Sequence, residues 1–259
     1  MAFTGRWRKL SGMSPLTRER FLKLVAAGGA SFLGLQAPVV GQEAAAKGPS
    51  VPWGRLKYIG ENGDTEDWHV HPHGDINLMD LIRTETPTNL EKKWNVADVS
   101  DVKSMVQYPF LFMHGEVAPV LDDKAKKNLR EYFQRGGFLF AEDCVNGYGH
   151  HGSGGSNDFF FQAVMEQLPS ILPGSKIEKL PMDHPLFHCF YHFDVWPHMQ
   201  GTNHGPHGLI YEGRVVALMS PSDLHCGWVN GDRWFGRGKQ RTAMQMGANI
   251  YLYAMTRSA

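Results

Sequence analysis

The stretch from Tyr108 to Tyr148, YPFLFMHGEVAPVLDDKAKKNLREYFQRGGFLFAEDCVNGY, most constrains what this chain can fold into. Tyr108 to Met113 is a short apolar and aromatic run of buried-strand length, and Phe138 to Ala141 is another. Between them, Asp122 or Asp123 caps a helix in which Ala125, Leu129 and Tyr132/Phe133 recur at helical spacing. Gly136-Gly137 ends it with the left-handed residue a helix exit favours, and Arg130 and Arg135 suit its C-terminal end. A strand-helix-strand unit of about thirty residues is a right-handed crossover between parallel strands. In open α/β sheets, ligands sit beyond the carboxyl ends of such strands. Those ends carry His114 and Glu116 on one side and Glu142, Asp143 and Cys144 on the other, so a site is expected there.

A chain of 259 residues with 42% hydrophobic content supports one sizeable core rather than two full domains. Its zero formal charge hides an asymmetry. From Gly48 onward there are 19 Lys and Arg against 24 Asp and Glu, whereas the first 47 residues hold 7 basic and 2 acidic ones. A mildly acidic body argues against a nucleic-acid partner. The basic segment reads as an export signal: Arg6, Arg8, Lys9, Arg18, Arg20 and Lys23 precede a weakly apolar run from Leu24 to Val40, then Ala44-Ala45-Ala46. Within it, TRERFLKL resembles a twin-arginine signal, with Glu19 where the second arginine usually stands. Residues 1–47 are therefore read as signal and linker and 48–259 as a single α/β domain. The domain is expected in the periplasm or otherwise exported, touching the membrane only through its signal. Of the three cysteines, Cys144, Cys189 and Cys226, an odd number leaves at least one thiol unless a partner chain supplies its mate. With no CxxC, neither a thioredoxin motif nor a zinc ribbon is available.

The rest of the domain alternates strands and helices. A strand is expected over Arg55 to Ile59, then the histidine-rich loop ENGDTEDWHVHPHGD, a helix over about Asp75 to Arg83 and a weak strand at Lys92 to Val96. After Cys144 the glycine-rich VNGYGHHGSGGS leads to a helix, FFFQAVMEQL, capped by Asn157 or Asp158 and closed by Pro169 and Pro173. Lys176 to Leu180 reads as a strand, and Leu209–Tyr211 with Val215–Met219 as a hairpin turned at Glu212-Gly213. PSDLHCGW reads as a loop, and a last helix runs from about Gln240 to Met255. The pattern predicts an α/β sandwich with a mixed, mostly parallel sheet and a late β-hairpin.

From about Trp53 onward, YPFLFMHG, GGFLFAEDC, PMDHPLFHCFY and SPSDLHCGW resemble the bacterial domain-of-unknown-function 4159 family. The resemblance implies a three-layer flavodoxin-like sandwich of the class I glutamine-amidotransferase-like group, and it implies no activity. Two positions depart from the family's usual pattern: Glu142 precedes Asp143-Cys144 where Asp is usual, and His225 replaces a glycine in the last loop.

Cys144 sits where amidotransferase-like folds hold their nucleophile, and His225 or His114 is a candidate base. The two carboxylates before it raise a thiol pKa, and no glycine flanks it, so a structural thiol or a disulfide to Cys226 is the competing reading. Metal binding is the sharper alternative. The 13 histidines cluster at His69, His71 and His73, at His150 and His151, around His184, His188 and His192, and at His198, His204 and His207. Spacing of i, i+2 puts His69, His71 and His73 on one face of an extended segment. Imidazole with carboxylate suits zinc, copper, nickel or iron. The expected ligands are His69, His71, His73 and His184, joined by Glu142 or Asp143, although His184 also reads as a hydrogen-bonded core residue. Gly147 to Gly152 fits G-x-G-x-x-G, but its helix starts too late for phosphate binding. Asp223 is either a general base or ligand, or a turn cap. Trp68, Trp196, Trp228 and Trp234 either pack loops or offer a sugar-stacking surface. Two functions follow as expectations. One is a metal-dependent enzyme, hydrolytic in class, using Glu142, Asp143, Cys144 and Asp223. The other is a non-catalytic module binding a small molecule, a glycan or a protein partner.

Overall fold

The structure, a computed structural model, describes residues 50–145 and 158–256. The export segment, His150, His151 and the G-x-G-x-x-G stretch lie outside the described residues. In chain order the strands are β1 Val51–Lys57, β2 Ile59–Gly60, β3 Leu90–Asp98, β4 Phe110–Gly115, β5 Pro119–Val120, β6 Phe138–Asp143, β7 Lys176–Lys179, β8 His207–Tyr211 and β9 Arg214–Ser220. The α-helices are α1 His73–Glu85, α2 Val102–Met105, α3 Asp123–Gln134, α4 Phe159–Ile171, α5 Leu224–Phe235 and α6 Lys239–Thr256. Seven strands form one sheet in the order β3-β1-β4-β6-β9-β8-β7, while β2 and β5 pair separately. The first five are mutually parallel, and β8 and β7 extend the sheet as antiparallel strands. This is a three-layer α/β sandwich with a flavodoxin-like order of parallel strands and a late hairpin.

Alternation along the strands builds two cores. Trp53, Phe110, Phe112, Phe138 and Phe140 face one way and pack with α1, α5 and α6 through Leu78, Ile82, Trp228 and Tyr251. Leu56, Leu111, Met113, Leu139 and Ala141 face the other way and pack with α3 and α4 through Leu129, Phe133, Phe160 and Val164. Connections from β1 run to β3 on one side and then to β4 on the other. The order of the sheet therefore switches between β1 and β4, which opens a crevice at their carboxyl ends.

Local signals explain most boundaries. Asp122 caps α3 by accepting the Ala125 N–H at 2.7 Å, and Gly136, at φ +90°, ends it. Glu212 and Gly213, both at positive φ, turn the hairpin. Three expectations are corrected. The strand expected from Arg55 begins at Val51, because Pro52 falls at an irregularity in the pairing with β3, where a missing N–H is tolerated. Pro169 lies inside α4, which continues to Ile171. PSDLHCGW is a loop only over its first three residues: from Leu224 it enters α5, whose kink at Asn230 and whose glycines hid the helical pattern.

Candidate functional site

Strand period positions the site. On the aromatic face, Arg55, His114 and Glu142 continue the rows begun by Trp53, Phe112 and Phe140, so the core ends in polar groups at the carboxyl ends of β1, β4 and β6. His114 stands beside Glu142, and Gly115 beside Asp143, in the β4–β6 register. Arg55, Asp75, His114 and His225 are each 0% exposed. The Arg55 guanidinium donates to Asp75 Oδ2 at 2.6 Å, to the Trp68 carbonyl at 2.8 Å, to the Val70 carbonyl at 2.9 Å and to His114 Nδ1 at 3.3 Å. Such a fork holds the chain between β1 and α1 against the sheet. The His114 and His225 rings lie 4.1 Å apart between centroids, and His225 Nε2 is 3.5 Å from Asp75 Oδ1. Close packing continues around them, since a Cβ on Gly74 would stand 2.7 Å from His225 Nε2.

Beside this network two groups of ligand-type atoms converge, each within 4.8 Å of one another: His71 with Cys144 and Cys226, and His114 with Cys144 and Asp223. None of the three cysteines is in a disulfide, and the Cys144 and Cys226 thiols lie 3.6 Å apart. Glu116 brings a carboxylate oxygen 3.8 Å from Cys144 Sγ. Three described non-glycine residues have positive φ, and two of them, His71 at 52° and Asp223 at 56°, belong to these groups. A conformation that disfavours side chains, repeated within one cluster, marks positions held by their surroundings. Asp223 accepts a hydrogen bond from the Gln200 amide through Oδ2. Among the described residues, His114 Nε2, Asp223 Oδ1, Glu142 Oε2 and Asp143 Oδ1 are buried with no hydrogen-bond partner.

Burial sets the charge of these groups. It drives His114 and His225 well below the ordinary histidine value, helped for His114 by His225 and for both by Arg55 and His71. Burial pushes Asp223 up to about 7 against the Cys226 thiol and the Gln200 amide. It pushes Glu142 and Asp143 well above the usual range, although each accepts a backbone N–H. The contact with Cys226, then burial and Asp223, raises the Cys144 thiol. For Cys226 the Cys144 contact lowers the value, but burial and Asp223 outweigh it and leave it at about 11.

Of the candidate ligands, His71 alone among His69, His71, His73 and His184 joins a cluster with the cysteines. His69 sits in the turn Asp67–His69 and bonds the Glu66 carbonyl at 2.6 Å. His73 opens α1 on an exposed face. The extended segment expected for HVHPH is thus corrected: a turn, a left-handed residue and a helix start take its place, and the three histidines form no common ligand group among the described residues. His184 accepts the Leu186 N–H at 3.3 Å and packs near Tyr253. Among the carboxylates, Asp143 Oδ2 takes the Phe161 N–H at 2.7 Å and Glu142 Oε1 the Leu224 N–H at 2.6 Å, so each anchors the start of a helix through one oxygen. Sequence reasoning missed Arg55 and Asp75. The signal was there, in an arginine inside a strand otherwise built for burial.

Asp75 gives the network a measurable pH dependence. Burial pushes its carboxyl up to about 6, against the pull of Arg55. A raised folded pKa means the folded chain holds the proton more tightly, so this contribution is full below the unfolded value near 4 and is lost as pH rises through about 6. Wild type is expected to lose about 3 kcal/mol more than Asp75→Asn between about pH 4 and about pH 7 in urea unfolding. Parallel curves for the two proteins would contradict this.

The fold and cluster define a doubly wound α/β protein with thiols, imidazoles and carboxylates gathered at its switch point. The chain belongs to the family described as "Domain of unknown function (DUF4159)", which matches residues 54–255. No curated protein matches the chain. No helix among the described residues is long and apolar enough to cross a membrane.

Proposed function

We propose that this chain is a metal-dependent enzyme, hydrolytic in class, whose ion is held by Cys144, Cys226 and His71. The observation that carries the reading is the convergence of these three ligand types from the β6 exit, α5 and the loop before α1. Two thiolates each about 2.3 Å from a tetrahedral zinc ion stand about 3.8 Å apart. The observed separation of 3.6 Å is close to that, and longer than any disulfide. Three protein ligands with one exposed member suit a catalytic site, where the remaining position stays open to water or substrate. Thiolate donors favour zinc or copper over magnesium or calcium. Supporting this, the Cys144 and Cys226 thiols are raised and burial brings Asp223 to about 7, shifts toward the protonated forms that a bound cation would reverse. A metal lowers the pKa of bound water, and Asp223 supplies a carboxylate beside the cluster. A second reading, a binding module, draws on Trp234, which is 47% exposed with its ring 6.0 Å from His71.

Elemental mass spectrometry on the full chain, purified without chelator or histidine tag, tests the proposal. Stoichiometric zinc or copper is expected in wild type and in His69→Ala, and its loss in Cys226→Ser and His71→Ala. A wild-type protein that stays metal-free after reconstitution with either ion would end this reading and leave the binding module.

A further inference from the structure

His114 lies in the second cluster, with Cys144 and Asp223, and its residue type makes it an obvious fourth ligand. The Arg55 contact argues otherwise. Arg55 Nη2 only donates, and it points at His114 Nδ1 from 3.3 Å. That nitrogen must therefore carry a lone pair, which leaves the single ring proton on Nε2. A metal needs a lone pair on the nitrogen it binds, and Nε2 does not offer one in this tautomer. Ligation through Nε2 would move the proton to Nδ1 and set two donors against each other in a fully buried contact. Arg55 is poorly placed to yield, because Asp75, the Trp68 carbonyl and the Val70 carbonyl fix the rest of its fork. On the other side the His225 ring packs against His114. His114 Nε2 is itself buried and without a partner among the described residues. A buried donor with nothing to donate to calls for an acceptor, and no described residue places one within hydrogen-bond distance.

We propose that His114 serves the centre as a hydrogen-bond donor, with Arg55 as the positioning residue that fixes its tautomer, and that the acceptor is an oxygen of a bound ligand such as water, carboxylate or carbonyl. The inference rests on the metal reading above for the identity of the centre. Such a preorganised donor is worth most where negative charge develops in a water-poor site. It also leaves the three-ligand set with its open position.

Two measurements test it. Long-range proton–nitrogen NMR on metal-free, nitrogen-15-labelled full chain, with His114 assigned from the His114→Gln spectrum, is expected to show protonated Nε2 and unprotonated Nδ1. The opposite tautomer overturns the inference without reference to any metal. Metal content of His114→Gln and His114→Ala is expected to match wild type. Loss of the ion to the extent seen in Cys226→Ser would make His114 a ligand and sink the proposal. A wild-type chain that binds no zinc or copper would instead remove the reading beneath it, so the two failures are told apart.

Discussion

Replacing Arg55 with methionine is expected to lower the stability of the fold by about 3–5 kcal/mol, the usual cost of breaking a buried ion pair from one side. The cost has identifiable parts. Asp75 Oδ2 loses its 2.6 Å partner, and the carbonyls of Trp68 and Val70 lose the donors that tie the loop before α1 to β1. Methionine fills much of the volume but satisfies none of the acceptors. Lysine keeps the charge but lacks the planar fork, so Arg55→Lys is expected to be nearly as damaging. The loss in Arg55→Met is expected to be smallest below about pH 6, where Asp75 is protonated with or without its partner, and to grow as pH rises above that, because removing Arg55 raises the Asp75 carboxyl further. Adding Asp75→Leu is expected to recover much of the deficit, since removing both charges leaves neither unpaired. Urea unfolding of the single and double variants measures all of this. A loss under about 1 kcal/mol for Arg55→Met would mean that the network contributes little.

Gly115→Ala is expected to be about as severe. A Cβ there would stand 1.8 Å from Tyr58 Oη and 2.1 Å from Asp67 Oδ2, inside the 2.7 Å hydrogen bond that joins them. Asp67 also receives the Glu116 N–H at 2.8 Å, so moving its carboxylate breaks the anchor of the loop after β4. Overpacking together with a lost buried hydrogen bond amounts to about 3–5 kcal/mol. For a chain of this size that is a drop in melting temperature of about 10 °C or more. Tyr58→Phe removes one of the two colliding atoms. The double variant is therefore expected to be less damaged than the sum of the singles, as for contacting residues generally. Strict additivity in thermal melts would count against the clash.

How far the sequence could be read depended on whether the signal was local. The strand-helix-strand unit around α3 was legible because its cap, its helical period and its glycine stop all lie within one stretch. The parallel sheet and the hairpin followed from alternation of the same kind. α5 was missed because a cluster of glycines and a kink at Asn230 erase the periodicity on which recognition depends. At the site, Cys144 and Asp223 were legible as residues at strand exits, and His71 as one of three histidines. Nothing in HVHPH distinguished His71 from its neighbours, since the choice was made by a left-handed backbone that one sequence does not announce. Arg55, Asp75 and His225 converge from β1, α1 and α5, and only the tertiary fold shows that a strand arginine, an aspartate of one helix and a histidine of another share one buried network.

The two outer strands of the sheet carry a further consequence. β3 exposes Lys92 and Lys93 beside Glu91, and β7 is only the four residues Lys-Ile-Glu-Lys. A margin that is short or studded with charge is a poor template for another chain's strand. Both ends of the ladder therefore resist adding a further rung, which protects the protein from edge-to-edge aggregation at high local concentration.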